Sequence, residues 1–483
     1  MNPLAKKSAL PLLGLLVGLP SAALGDAETS PVPLDLTHHW AGYFSLVVMV
    51  SAYAAAMLEE VTHLRKSKPM LLGAALVWFA ISLVYRQHGQ VAAAVTAFAS
   101  NLLAYIELLL FIMVSMTYLN AMEDMGVFDA LRLALVRLRL GYKALFWVTG
   151  TLVFFISSVV NGLTAGLLMG VVVVAVGRNS PRFVSLACIN VVVATNAGGS
   201  FSPLGGISTL FVWQKGMLEF TQFFTLFVPC LVNFLVPALA MHFAVPHDTP
   251  RVEAESIAMR RGAVRVIVLF GVTIGFAVFS DMYLRLPPAA GMMAGLSLLQ
   301  FFTFYLRKTE NRIASSARDA KLSPPEPDMP DGILETQRFD IFEKVGRLEW
   351  DTLLFFYGAM TGIGGLGFIG YLDAVSAWLY GQHSATLANV LIGLSSAFVD
   401  NGTLMFAVLS MRPELPEGQW LLVTLTLGVG GSLLAIGSAP GIALLGMTRG
   451  RYSFSSHLKW CPVILLGYFA AIGVHFIVNS QYF

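Results

Sequence analysis

Eight apolar runs long enough to cross a membrane punctuate this chain, near 40–58, 69–85, 104–120, 222–244, 264–281, 288–306, 352–368 and 459–480. A helix needs about 20 apolar residues to cross the hydrocarbon core, where only helices and closed barrels satisfy their own backbone. The runs have helix length, so the expected fold class is an all-α polytopic membrane protein. Charged residues make up only 12% of the 483, too few to cover a soluble surface. The net charge of +2 offers no basic field for nucleic acid. Cys188, Cys230 and Cys461 lie in apolar text without CxxC or metal spacing and read as small buried hydrophobes. No Walker A, HExxH or Ser–His–Asp pattern occurs, so neither ATP-driven transport, an enzyme nor a cofactor is implied.

Lys6 and Lys7 precede the apolar run 9–19, and Ser21-Ala22-Ala23-Leu24-Gly25 follows. That order predicts a signal peptide over 1–25 and a mature N-terminus outside the cytoplasm. With that start, segments 63–69, 120–143, 178–182, 245–265, 307–349 and 449–459 fall inside. They hold 24 of the 30 Lys and Arg, whereas the outside holds only Arg86, Lys215, Arg285 and Arg412. This asymmetry is what the positive-inside rule requires. Trp40, Trp78 and Trp460 are expected in interfacial belts. The stretches 127–139 and 371–380 suit interfacial helices or plain connectors. His242 and His475 read as structural.

Four further apolar stretches are interrupted. Those near 183–216 and 419–449 are broken by Gly and Pro, with Pro203 and Pro440 unable to continue a helical ladder. Those near 144–177 and 384–411 have a polar break and read as re-entrant hairpins. Irregular backbone at membrane depth is tolerated only where protein buries it or it lines a cavity. A linker, 307–349, is rich in charge and proline and divides the chain into halves, 26–306 and 350–483.

The halves repeat each other over units of about 104–244 and 350–480. Glu107 through Met116-Thr117 resembles Asp351 through Met360-Thr361. The hairpin text Ser157 to Thr164 resembles Ser396 to Thr403, pairing Asn161 with Asp400. Gly198-Gly199-Ser200 through Gly205 resembles Gly430-Gly431-Ser432 through Gly437. By the charge topology one unit starts outside and the other inside, so the repeat is inverted, an architecture of secondary transporters.

Oxygen-bearing side chains crowd these breaks: Ser157, Asn161, Thr164, Asn196, Ser200, Ser202 and Ser208 in the first half, Ser396, Asp400, Asn401, Thr403, Ser432 and Ser438 in the second. Hard oxygen ligands suit Na+. An acid inside a membrane segment is costly and functional by default, which singles out Asp400. Glu107 and Asp351 lie near membrane boundaries, as proton relays or simple interfacial acids.

At these residues the chain resembles the NhaD-type sodium/proton antiporters of the ion-transporter superfamily. The most specific stretches are Met116-Thr117-Tyr118-Leu119-Asn120-Ala121-Met122, the run from Asn196 to Gly205, that from Trp350 to Gly358, that from Gly430 to Ala439, and the tail from Arg449 to Trp460. The resemblance implies a homodimer in the lipid bilayer, with a scaffold and a moving transport part. It also implies exchange of cytoplasmic Na+ (often Li+) for external H+; the signal peptide and positive-inside loops fit a bacterial inner membrane or else an organelle envelope. Asp400 would be the shared cation and proton ligand, with Asn401, Thr403, Ser396, Asn161, Thr164, Ser438 and Ser202 around it. The chain departs from the family pattern where Asn161-Gly162 replaces an Asp-Asn pair, where Gly206 replaces an Asp, and where Leu152 and Ser157 stand in a stretch that often carries acids. Such a loss of charge leaves open a carboxylate or other anion transporter on the same scaffold, or a non-transporting sensor.

Overall fold

The computed structural model describes residues 34–137, 140–249, 262–320 and 341–483. The expected signal segment and the prolines of the linker lie outside those residues. Every regular element among them is helical.

The chain opens with α1 (Trp40–Met57), the short α2 (Glu59–Thr62), α3 (Ser67–Gln87) and α4 (Val91–Asp124). α4 has 34 residues, twice the apolar run within it. At 1.5 Å per residue it is about 51 Å long and outruns the membrane core. Its extension starts in the alanine-rich text after Val91, where helix propensity is high. Next come α5 (Val127–Arg137), then α6 (Tyr142–Ile156) and α7 (Gly162–Val176), which flank the first polar break. α8 (Pro181–Ser200) and α9 (Ile207–Gln214) are one helix interrupted over 201–206. α10 (Phe227–His242), α11 (Ala263–Met282) and α12 (Pro288–Ala320) complete this half, α12 continuing well into the text read as linker.

The short α13 (Ile341–Gly346) docks on the end of α4, where Lys344 pairs with Asp124 and Asn120 Nδ2 donates to the Lys344 carbonyl at 3.1 Å. α14 (Trp350–Phe368) turns by 82° into α15 (Tyr371–Leu379). Gly370 makes that turn at φ +99°, a conformation that favours glycine. α16 (Ala385–Ser395) and α17 (Asn401–Met411) flank the second polar break, and α18 (Glu417–Gly430) and α19 (Ala439–Met447) are interrupted over 431–438. α20 (Phe454–Leu458) and α21 (Cys461–Val478) end the chain. Among the described residues, eight helices have the length and composition of membrane spans, or nine if α14 and α15 count as one. The 15- and 11-residue arms α6, α7, α16 and α17 are too short to span, as hairpin arms should be.

α8 and α18 are almost wholly buried and form the centre of the protein. α6 runs along α8, and α16 along α18. The second arms cross over: α7 rests on α19 and α17 on α9. Glycines permit the first kind of seam. A Cβ on Gly198 would lie 2.0 Å from the Phe154 carbonyl oxygen, and one on Gly430 2.0 Å from that of Gly393. Small residues let membrane helices bring their backbones together in this way.

One belt expectation is corrected. Trp78 is 5% exposed, and its Nε1 donates to the Thr361 carbonyl at 2.8 Å in the seam between α3 and α14. An indole needs one acceptor, and a free carbonyl inside the protein serves as well as the interface. Trp40 is exposed, as expected. His242 accepts from Trp147 Nε1, and His475 is buried against the Gly418 carbonyl, both structural roles.

Candidate cation site

Both polar breaks end in a helix cap. Asn161 caps α7, its Oδ1 accepting from the Leu163 N–H at 3.0 Å. Asp400 caps α17, its Oδ2 accepting from the Thr403 N–H at 3.1 Å and the Thr403 hydroxyl at 3.4 Å. Short Asn and Asp side chains are favoured caps, and a carboxylate there also gains from the helix dipole. The pairing of Asn161 with Asp400 in the repeated text is thus matched by a shared task, a helix N-cap, with different N–H partners.

The broken helices press onto these tips. A Cβ on Gly205 would lie 2.4 Å from the Ser157 carbonyl oxygen and 2.6 Å from Gly199 Cα. One on Gly437 would lie 2.7 Å from the Gly431 oxygen and 2.8 Å from the Ala397 oxygen. Only glycine fits at either place.

Tips and breaks together enclose a cavity of about 80 Å³. Asn161, Thr195, Asn196, Ser208, Asp400, Asn401 and Ser438 line it. Asn196 Nδ2 donates to Ser438 Oγ at 3.0 Å, bridging the halves, and to the Val192 carbonyl at 2.9 Å. Its Oδ1 is left as an acceptor. The Thr195 hydroxyl is buried without a partner, and Asp400 Oδ1 takes no part in the cap. These unspent oxygens suit a hard cation. No Lys, Arg or His is among the described residues of the lining.

Other expected residues stand elsewhere. Thr403 orients Asp400 from behind. Ser396 Oγ donates to the Leu427 carbonyl at 3.0 Å, in the α16–α18 seam. Ser202 sits within the first break, accepting from the Leu204 N–H at 3.3 Å. Thr164 faces a second cavity of about 300 Å³, with Glu123, Asp129, Arg132, Arg347 and Glu349. Asp351 accepts from Ser67 Oγ at the N-terminus of α14, and Glu107 lies in α4; neither lines the small cavity.

Two participants escaped the sequence reading. Thr195 aligns with Leu427 in the repeated text, so the repeat gives no hint of it. His457, in α20, is fully buried. Its Nε2 lies 2.9 Å from the Ser432 carbonyl and so carries the proton, while Nδ1 accepts from the Tyr452 hydroxyl at 2.7 Å. The imidazole therefore fastens the second break to the tail, whose family-like text was the one available signal. Burial pushes His457 down to about 4, although its bonds to backbone raise it. The unfolded chain takes up this proton below its ordinary value of about 6.5, and the folded chain refuses it. Stability is thus fully present above pH 6.5 and lost as the pH falls toward 4, by about 3 kcal/mol. His457→Gln is expected to flatten that part of the thermal-midpoint profile; an unchanged slope would remove His457 as its source.

Known proteins match this sequence along nearly the whole chain. A family model described as a citrate transporter (CitMHS) matches residues 53–428. The Na(+)/H(+) antiporter NhaD of Vibrio cholerae is 49% identical over 475 residues, covering 98% of this chain and 99% of its own. The chain belongs to the NhaD family. The NhaD of Halomonas elongata is 47% identical over 475 residues, covering 98% of this chain and 94% of its own. Sodium/proton antiporter 1 of Arabidopsis thaliana is 28% identical over 355 residues, 71% of this chain and 57% of its own. Membership places the protein among secondary transporters, integral to a membrane, and not among enzymes. Gly206, at the N-terminus of α9, brings no side-chain cap, and its own N–H donates to Thr209 Oγ1 at 3.2 Å.

The Asn196–Ser438 bond is the direct polar link between the halves at this site. Asn196→Ala and Ser438→Ala should each raise the Na+ concentration for half-maximal exchange about 5–10-fold, the scale of one buried hydrogen bond. Combined, they should cost little more than either alone. Full additivity would show that the two do not act as a pair.

Proposed function

We propose that the chain exchanges Na+ or Li+ for H+ across the bacterial inner membrane, with Asp400 as the ligand that cation and proton share. The observation that carries this reading is the meeting of both hairpin tips and both broken helices on one small cavity containing that carboxylate. Asn401, Asn161, Asn196 and Ser438 supply neutral oxygens, and Thr403 holds Asp400 in place. Full-length relatives named as Na(+)/H(+) antiporters support the same chemistry. The units over 104–244 and 350–480 would act as inverted repeats, and two chains as a homodimer. Glu107 and Asp351 would serve proton passage away from the cavity.

Cavity size and lining weigh against a carboxylate substrate. Pockets for small organic molecules are usually about 300–1,000 Å³. A cavity of about 80 Å³ has room for a cation with little of its water. An anion would also meet Asp400 with no cationic side chain to balance it among the described lining residues. The test is purified protein in liposomes holding a trapped pH dye under an imposed pH gradient. Added Na+ or Li+ should dissipate the gradient. No response to Na+, Li+ or K+ at any pH, together with carboxylate uptake, would overturn the reading.

A further inference from the structure

The tail beyond α19 folds back and ties the end of that helix to the break before its start. The chain reverses at Arg449 and Gly450, with φ of 50° and 83°. Tyr452 then returns to the C-cap of α19: its N–H donates to Thr448 Oγ1 at 3.3 Å, and its carbonyl lies 3.3 Å from the same hydroxyl. The Tyr452 hydroxyl donates to His457 Nδ1 at 2.7 Å, and His457 Nε2 donates to the Ser432 carbonyl at 2.9 Å. Tyr452, His457 and Ser432 are all buried.

The Ser432 carbonyl stands where α18 stops, and a helix end leaves its last carbonyls without partners. Buried away from water, such a group needs a donor from elsewhere. The first break meets this need within itself: the Ser202 carbonyl accepts from the Gly205 N–H at 3.3 Å, and the Pro203 carbonyl lies 3.4 Å from Thr209 Oγ1. The second break takes an imidazole from the tail. That ring can donate in one neutral tautomer only, the one Tyr452 selects by occupying Nδ1. The loop so held is short. Gly431 and Gly437 close on each other, and Ser438 follows at once, accepting from Asn196 Nδ2 at 3.0 Å. We propose that His457 is a positioning residue of the cation site: its bond to the Ser432 carbonyl fixes the 431–438 loop and so keeps Ser438 Oγ in reach of Asn196 and the cavity.

This inference rests on the cation-exchange reading, with Ser438 as a ligand, and its test separates the two. His457→Leu removes the donor at similar bulk. In the same proteoliposomes its KM for Na+ should rise about fivefold, with kcat within about twofold of wild type. His457→Gln keeps a side-chain N–H and should hold KM within about twofold of wild type. Over Ser438→Ala, His457→Leu should shift KM by less than about twofold, because the oxygen it positions is gone. An unmoved KM in His457→Leu, a full fivefold shift over Ser438→Ala, or a Gln variant as impaired as the Leu one overturns the role of His457. Tyr452→Phe keeps its ring and frees Nδ1, and should raise KM about two- to threefold. It replaces His457→Leu if that variant does not fold, and no rise in KM then overturns the proposal. A silent wild type instead overturns the exchange reading. The positioning is then read without ions: in either tail variant, Ser438→Ala should lower the thermal midpoint by less than about half of what it does in wild type. Equal drops overturn the proposal.

Discussion

Asp400→Asn is expected to abolish Na+-dependent proton exchange while leaving the protein folded and inserted. The fold survives because Asn caps a helix as well as Asp does, and Asn161 already performs that task at the first tip. The variant simply makes the second tip resemble the first. Function fails because the cavity loses its one lining carboxylate among the described residues. Removing one partner of a desolvated charge pair costs about 2–5 kcal/mol, so exchange should fall at least about thirtyfold. No site remains at which a proton and a cation exclude each other. Dye-loaded proteoliposomes measure the flux, and the thermal midpoint reports folding. Exchange surviving in a folded Asp400→Asn protein would remove this residue from the mechanism.

The second large effect belongs to Gly430. An alanine Cβ there would sit 2.0 Å from the Gly393 carbonyl oxygen, a backbone atom that cannot rotate away. α16 and α18 must then separate, and the seam bond from Ser396 to the Leu427 carbonyl goes with them. Overpacking costs about 1–3 kcal/mol, and backbone contact puts this case at the upper end. Gly430→Ala should lower the thermal midpoint by several degrees and remove exchange, since α16 leads directly into the tip that holds Asp400. Gly473→Ala is the matched control: a Cβ there meets nothing within 4 Å, and the change should be neutral or slightly stabilising. Equal behaviour of the two variants would show that the seam tolerates widening.

The layout of this site was legible because its parts announce themselves locally. Caps, glycines and prolines interrupt apolar text, and Asn161, Asp400, Gly199 and Gly431 stand where the sequence places the breaks. Contacts between distant segments were not legible. Thr164 and Thr403 align in the repeated text, yet only Thr403 serves its cap, because Asn161 takes the Leu163 N–H instead. Thr195 looks like one more residue of an apolar helix. Trp78 has the composition of a belt residue and the partner of a core residue. The extra length of α4 escaped because hydropathy marks what the membrane requires, not where a helix stops.

The crossing of the second arms has a mechanical meaning. α7 leans on α19 and α17 on α9, so the cavity's walls alternate in ownership between the halves, and Asn196 reaches across to Ser438. In the proposed cation site, neither half would supply every ligand. A displacement that parts the halves at this joint would therefore also pull the proposed ligands away from a bound ion, whereas a movement of all four elements together would carry them intact.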